Sequence, residues 1–229
     1  MEMMTCKNCG SNDFYEFNGK HVCKFCETVF YNKERLKTDR LYLLARRAKE
    51  EMNSENAVKY YEMILLDDPL NWEPVFYSSF FKAYGTTIKD IGNSAYTMSK
   101  NFNSVMMIVS TDDVNDTEKQ TIVAEIVERT LHLANMLFDA EMNYYRDLDI
   151  YLKSDFRSDH IDRLSGVKTM LYTLGDSIEE WFGDNEMLMS LAQQAWRQGI
   201  AVHRKYAFML ADVDSAQEII AMYEEKIQS

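Results

Sequence analysis

The cysteines place the strongest constraint on how this chain can fold, because all four lie within the first 26 residues. They form two Cys-x-x-Cys pairs, Cys6 with Cys9 and Cys23 with Cys26, separated by thirteen residues. Two residues between thiolates let one chain reversal direct both sulfur atoms at one cation. Two such reversals supply four sulfur ligands in the tetrahedral geometry that Zn²⁺ favours. The pattern therefore predicts one structural zinc ion, bound by these four residues with no open coordination position.

Four closely spaced thiols can also serve purposes other than zinc binding. An iron site of the rubredoxin type has the same ligands, so the sequence leaves zinc and iron open. Two disulfides would need an oxidising compartment, whereas the start of the chain has no signal-peptide pattern, and we expect a cytoplasmic protein with reduced thiols. A redox Cys-x-x-Cys is expected at a strand–helix junction, which this segment lacks. His21 lies two residues before Cys23, but four thiolates already complete the ligand set.

Strand-like sequence surrounds the two cysteine pairs. Residues 14–17 are mostly aromatic, Asn18-Gly19 is a strong two-residue hairpin turn, and residues 28–31 favour a third short strand. Gly10, directly after the second cysteine, can adopt the positive φ that such a chain reversal often needs. Reversal, hairpin, reversal and strand together resemble a zinc ribbon, and the resemblance covers residues 1–33.

The rest of the chain is predicted to be helical. Eight glycines and two prolines are too few for an all-β fold, which needs a turn roughly every ten residues. From Lys33 onward, apolar residues recur at helical spacing, and the first helix places Leu41, Leu44, Ala45 and Ala48 on one face. The predicted fold class is mainly α: a helical hairpin array or bundle, preceded by a small N-terminal β zinc ribbon.

Polar residues mark the predicted ends of the later helices. One helix is expected to open at Asn93 or Ser94 and to run to Val109. The capping-box spacing Thr117-x-x-Gln120 predicts the start of a helix longer than 30 residues. Candidate N-caps of the last two helices are Asp184 or Asn185, and Asp212 or Asp214. We expect three regions, namely a ribbon (1–33), a tetratricopeptide-like helical region (34–112) and a C-terminal helical bundle (113–229).

Asn53-Ser54 ends the first predicted helix and can cap the second. These two helices resemble a tetratricopeptide repeat, which is a 34-residue helical hairpin. Four positions of the repeat carry the expected residue type: the small residues Ala45 and Ala57, the aromatic Tyr61 and the terminal Pro69. Leu41 and Ala48 depart from the usual tryptophan and tyrosine. The positions 34 residues further on mostly do not carry the residue types of a second repeat.

A zinc ribbon followed by tetratricopeptide-like helices resembles a group of small bacterial proteins with that order of features. The resemblance implies an architecture, together with a role in scaffolding or partner binding rather than in a reaction.

Charge is spread unevenly along the chain, whose formal net charge is −12. Residues 1–49 carry ten Lys and Arg against six Asp and Glu, whereas residues 50–229 carry fifteen against thirty-one. The acidic part repels phosphate backbones, so nucleic-acid binding is expected only near the N-terminus. The candidate contact residues for nucleic acid or another partner are basic: Lys7, Lys20, Lys24, Arg35, Lys37, Arg40, Arg46 and Arg47. The alternative is that the helical members are a solvated helix face, or pair with the acidic part.

Sequence motifs for catalysis are absent: there is no H-E-x-x-H, Walker loop, G-x-G-x-x-G or G-x-S-x-G. The most apolar short run, residues 105–109, is far shorter than the roughly 20 residues that span a bilayer, so no membrane segment is expected. We therefore predict a non-enzymatic adaptor that binds a protein partner or self-associates. The alternative is a nucleic-acid-binding regulator acting through the ribbon and the basic segment 33–49.

Overall fold

A short sheet precedes a long run of helices in the computed structural model, which describes residues 5–17, 20–31 and 33–228. The sheet has strands β1 (Phe14–Phe17), β2 (Lys20–Cys23) and β3 (Val29–Tyr31), which are antiparallel in the order β1-β2-β3. Residues 18 and 19, the predicted hairpin turn, lie outside the described residues. The predicted fold class, mainly α with a small β region at the N-terminus, is confirmed.

The helices follow in chain order. They are α1 (Lys33–Glu50), α2 (Ser54–Leu65), α3 (Trp72–Tyr84), α4 (Ile91–Ser99), α5 (Phe102–Thr111), α6 (Asp116–Asp147), α7 (Arg157–Phe182), α8 (Glu186–Tyr206) and α9 (Val213–Gln228). Short 3₁₀ turns occupy Ile88–Asp90 and Ala207–Met209. None of the helices in the described part of the chain has the length and apolarity needed to cross a bilayer.

Asparagine and aspartate side chains define several helix starts, three of them as predicted. Asn53 and Asn185 each accept a hydrogen bond from the backbone N–H three residues on, and Asp212 accepts one from Ser215 N–H. The predicted cap at Thr117 is wrong, because Asn115 accepts from Glu118 N–H and α6 begins before Thr117. The helix nevertheless has the expected length, at 32 residues.

The prediction of one helix over residues 93–109 is also wrong. The single helix expected from Asn93 or Ser94 to Val109 is two helices, α4 and α5, and the first already begins at Ile91. The interruption lies at Lys100 and Asn101, polar residues between two apolar stretches, and asparagine is a weak helix former.

The prediction that Leu44 shares one apolar face of α1 with Leu41, Ala45 and Ala48 is wrong. Leu44 is 44% exposed, whereas the other three residues are buried. The apolar face of α1 is therefore narrower than its sequence indicates, and Leu44 lies on its solvent side.

Helix α7 occupies the centre of the helical body, where it contacts α4, α5, α6 and α8. Its crossing with α4 depends on two glycines that face each other. A Cβ atom added to Gly166 would lie 2.4 Å from the carbonyl oxygen of Gly92, and one added to Gly92 would lie 2.8 Å from the carbonyl oxygen of Asp162. These distances are below van der Waals contact, so only glycine permits this backbone approach.

We predict that Gly166→Ala lowers the free energy of unfolding by about 1–3 kcal/mol, because the methyl group meets helix backbone that cannot move independently. The loss should outweigh the gain of roughly 1 kcal/mol in helix propensity. The measurement is urea unfolding followed by circular dichroism. Gly85→Ala is the matched control, since the atoms within about 3 Å of its added Cβ belong to the Ser54 side chain. An unchanged or raised stability for Gly166→Ala would show that α4 and α7 do not pack this closely.

Candidate metal centre

The four cysteine sulfur atoms share one small space. The ligand atoms of Cys6, Cys9, Cys23 and Cys26 all lie within 4.8 Å of one another, and the four thiols are free. The shortest pairs are Cys6 Sγ to Cys26 Sγ and Cys9 Sγ to Cys23 Sγ, each at 3.5 Å. A tetrahedral ion with metal–sulfur bonds of about 2.3 Å separates its ligands by about 3.8 Å, which falls within this range. The arrangement can therefore hold one metal ion.

The two cysteine pairs lie in chain reversals with the same backbone hydrogen bonds. In the first, Gly10 N–H donates to the carbonyl oxygen of Cys6, and Cys6 N–H donates to that of Ser11, both at 2.8 Å. In the second, Glu27 N–H donates to the carbonyl oxygen of Cys23, and Cys23 N–H donates to that of Thr28, both at 3.0 Å. These hydrogen bonds set the direction of the two Cα–Cβ bonds in each reversal.

The residue after the second cysteine of each pair has a positive φ. It is Gly10 in the first reversal, at +75°, and Glu27 in the second, at +55°. Glycine adopts this region freely, whereas a residue with a Cβ is strained there. The prediction for Gly10 is confirmed, and the second reversal repeats the conformation with a residue that does not favour it.

Thr28 connects the two reversals next to the sulfur atoms. Asn8 Nδ2 donates to Thr28 Oγ1 at 3.1 Å, so the hydroxyl proton is available for Cys26 Sγ, 3.0 Å away. This hydroxyl, followed by the Thr28 backbone N–H, lowers the pKa of Cys26 to about 6. A thiolate is the form that binds a metal, so this contact prepares Cys26 as a ligand.

Few side chains of the cysteine module, which we define as the described residues 5–17 and 20–31, are buried. Among those whose burial is described, the buried ones are Cys6, Val22 and Cys23. An edge-to-face contact between Phe14 and Phe30, with ring centroids 5.6 Å apart, covers part of one face of the sheet. The interior of this module therefore consists largely of candidate metal ligands.

Phe25, by contrast, is 83% exposed between Cys23 and Cys26. On the sheet, Tyr15 and Val29 are each aligned with Val22 and are 45% and 44% exposed. Aromatic and apolar side chains thus remain open to solvent beside the sulfur cluster.

The predicted basic contact residues lie in three different settings. Several are paired with carboxylates: Lys24 with Asp13 at 2.9 Å, Lys37 with Asp67 at 3.9 Å, Arg46 with Glu73 at 2.7 Å and Arg47 with Glu51 at 2.8 Å. Lys7 and Arg40 are exposed, and no carboxylate of a described side chain lies within 4.0 Å of either. Lys20 is half-buried on β2, and the side chain of Arg35 lies outside the described residues.

The acidic partners of α1 are themselves held by tyrosines. The nearly buried carboxylate of Glu73, at the start of α3, accepts from Arg46 on α1 and, at 2.9 Å, from Tyr61 O–H on α2. Glu125 on α6 accepts from Lys49 Nζ at 3.3 Å and from Tyr77 O–H. Basic side chains of α1 therefore bind carboxylates of α3 and α6, and Tyr61 of α2 shares the carboxylate on α3.

Sequence reasoning missed Thr28, Asn8 and Glu27. The available signal was an internal repeat, because residues 6–11 and 23–28 share the pattern Cys-Lys-x-Cys-x-Ser/Thr. Aligning the two copies places Ser11 opposite Thr28 and Gly10 opposite Glu27.

Comparison with known proteins identifies no relative: no family model, no curated protein and no solved structure matches the chain.

We predict opposite effects from exchanging the residues at the two positive-φ positions, with Zn²⁺ as the probe ion. Gly10→Ala should weaken zinc binding by roughly fivefold or more, since strain of about 1–2 kcal/mol is added to a fold coupled to metal binding. Glu27→Gly should leave the affinity unchanged or raise it. Competition with a chromophoric chelator measures both. Equal weakening by the two variants would mean that the reversals do not need these conformations.

Proposed function

We propose that this chain is a non-enzymatic protein-interaction adaptor, whose N-terminal residues form a zinc ribbon around one structural Zn²⁺. The single observation that carries the proposal is the closed set of four cysteines with exposed aromatic and apolar side chains directly beside it. A site whose four positions are all filled by protein has none left for substrate or water, so the ion supports a surface rather than a reaction.

Zinc fits the site because it needs only a tetrahedral arrangement of thiolates, and elemental analysis separates it from iron of the rubredoxin type, which takes the same four ligands. Two further features support a resident ion. The interior of the cysteine module offers little apolar surface besides Val22, and four sulfur atoms converge there. Such a small module generally requires a metal or disulfides to fold.

The surface beside the cluster fits a protein partner. Protein interfaces are enriched in aromatic residues at their centre and are bordered by polar groups. Phe25 would be the central anchor, with Tyr15 and Val29 on the sheet and Lys7 and Lys24 at the border.

The helical body offers a second apolar surface on the outer face of α2. A shallow groove there is lined by Val58, Met63 and Leu66 and bordered by the charged residues Glu55, Lys59 and Glu62. Leu66 is 83% exposed, and Leu70, four residues further on, is 76% exposed. An apolar patch surrounded by charge suits binding of a protein, including a second copy of this chain.

The regulator alternative is less well supported. Electrostatic attraction to nucleic acid requires basic side chains free to meet phosphates. Arg46 and Arg47, two cations of the basic segment, already have carboxylate partners, and so do Lys24 and Lys37.

For the metal, we predict close to one zinc per chain in native protein purified without added metal, by elemental analysis. Cys9→Ser should lose the zinc and keep its helical circular dichroism, because the helices have their own core. Lys7→Ser, which changes an exposed residue next to the ligands, should keep the ion. Metal-free native protein would contradict the site, and iron in place of zinc would identify a rubredoxin-type centre.

For the partner, we predict that a photo-crosslinking amino acid at Phe25 captures one discrete protein in cells. The same group at Glu128, an exposed residue of α6 outside both apolar surfaces, is the control and should not capture that protein. With the captured protein purified, Phe25→Ala should weaken binding by roughly tenfold or more while the zinc content stays unchanged.

A different result would favour the alternative function. If the purified chain instead binds DNA or RNA with an affinity that falls steeply as salt rises, the regulator is the correct function. If position 25 captures no specific protein, the proposed interaction surface is wrong.

A further inference from the structure

A second site lies in the helical body, in a pocket between α7, α8 and α9 with a volume of about 250 Å³. Its polar lining comprises Ser165, Lys168, His203, Tyr206, Asp212 and Ser215. The remaining wall is apolar and includes Leu210, Ala216 and Ile219. This site shares no residue with the cysteine module and does not depend on the function proposed above.

Lys168 is a half-buried cation without a counter-ion in the described part of the chain. No carboxylate oxygen of a described residue lies within 4.0 Å of its Nζ, and its nearest recorded contact is the ring of Tyr172, with 6.0 Å from Nζ to the centroid. Burial lowers the pKa of Lys168, because the ammonium loses hydration that nothing replaces. By comparison, Lys226 on α9 contacts the carboxylates of both Asp176 and Glu179.

His203 lies beside Lys168 and is 2% exposed. Burial, together with the charge of Lys168, lowers the pKa of His203 to about 4, so the imidazole is neutral at pH 7. Its Nδ1 lies 3.4 Å from the Tyr172 hydroxyl, which can donate to it. A neutral imidazole that accepts at Nδ1 carries its proton on Nε2.

Nε2 of His203 has no recorded partner, although every fully buried side-chain nitrogen and oxygen in the described residues has one. Nε2 is therefore in contact with open space, and His203 is one of the residues that line this pocket. With the Tyr172 hydroxyl donating to Nδ1, Nε2 presents one N–H donor beside one ammonium group.

The other charged and polar groups around the pocket do not neutralise Lys168. Asp212 lines the rim, where its Oδ1 already accepts from Ser215 N–H at 2.9 Å. Arg204 on α8 pairs with Glu224 on α9. The hydroxyls of Tyr206 and Ser165 add hydrogen-bonding capacity without charge.

We propose that this pocket binds a small oxyanion, with Lys168 as the counter-ion and His203 as a hydrogen-bond donor. A carboxylate or a phosphate group carries the oxygen atoms that such donors recognise. The apolar wall suits a ligand with a short hydrocarbon part. The pocket volume limits the ligand to the size of a small metabolite.

The test is titration of the full chain with inorganic phosphate and, separately, with butyrate. Binding is followed by the imidazole NMR signals of His203 and by isothermal titration calorimetry. The two probes separate the sources of the oxyanion, because butyrate alone uses the apolar wall. Saturable binding of either probe with a shift of the His203 signals supports the site.

Variants then assign the binding to the pocket. Lys168→Met keeps the length of the buried side chain and should weaken binding by roughly tenfold or more. Lys205→Met removes the same charge from an exposed position on α8 and should change the affinity less than about twofold. Asp212→Asn should strengthen binding by a few-fold, since it removes a negative charge from the rim and keeps an N-capping side chain.

Three results would overturn the proposal. One is that neither anion shifts the His203 signals up to tens of millimolar. Another is that Lys168→Met, shown by circular dichroism to be folded, binds as tightly as the unsubstituted chain. The third is an equal loss of affinity in Lys168→Met and Lys205→Met, which would indicate general charge attraction.

Discussion

The N-terminal module depends on the placement of four sulfur atoms around one point. Its strands are three or four residues long, and few of its described side chains are buried apart from two of the cysteines. Such a sheet has too little apolar surface to offset the conformational entropy lost on folding. A cation bound among the thiolates would supply the missing stabilisation, and the paired chain reversals supply the geometry. The exposed position of Phe25 between two ligands is a consequence of the same arrangement.

Two features of the charged side chains distinguish the helical body. The first is the use of basic residues on α1 to hold acidic residues of later helices, as Arg46 holds Glu73 and Lys49 holds Glu125. These pairs reduce the positive surface that the sequence assigns to the N-terminal segment, which is why we propose a protein partner rather than nucleic acid. The second is Lys168, a cation with no carboxylate oxygen within 4.0 Å among the described residues, although the chain has a net charge of −12.

Local sequence determined the features that could be predicted. Two residues between cysteines, an asparagine before an apolar helical stretch, and a glycine after a cysteine pair each specify a conformation over a few residues. The four candidate ligands, the cap Asn53 and the positive φ of Gly10 could therefore be identified, and the cap of α8 was narrowed to Asp184 or Asn185. The predicted start of α6 was wrong because Thr117 and Asn115 are both suitable N-caps. The folded backbone selects Asn115, whose side chain accepts from Glu118 N–H.

Features that depend on distant residues could not be predicted. The partners of Arg46 and Lys49 lie 27 and 76 residues further along the chain. Similarly, the pocket proposed to bind an oxyanion combines residues from positions 165 to 219. The exposure of Leu44 depends on which neighbouring helices cover α1, and helical periodicity carries no information about that.

The central claim is that a closed set of four thiolates holds a structural zinc ion, and X-ray absorption at the zinc edge of the native protein tests it most directly. The account predicts a first shell of four sulfur atoms at about 2.3 Å, without oxygen or nitrogen. A shell that includes a water oxygen or a histidine nitrogen would contradict it, because the site would then be open or built from other residues.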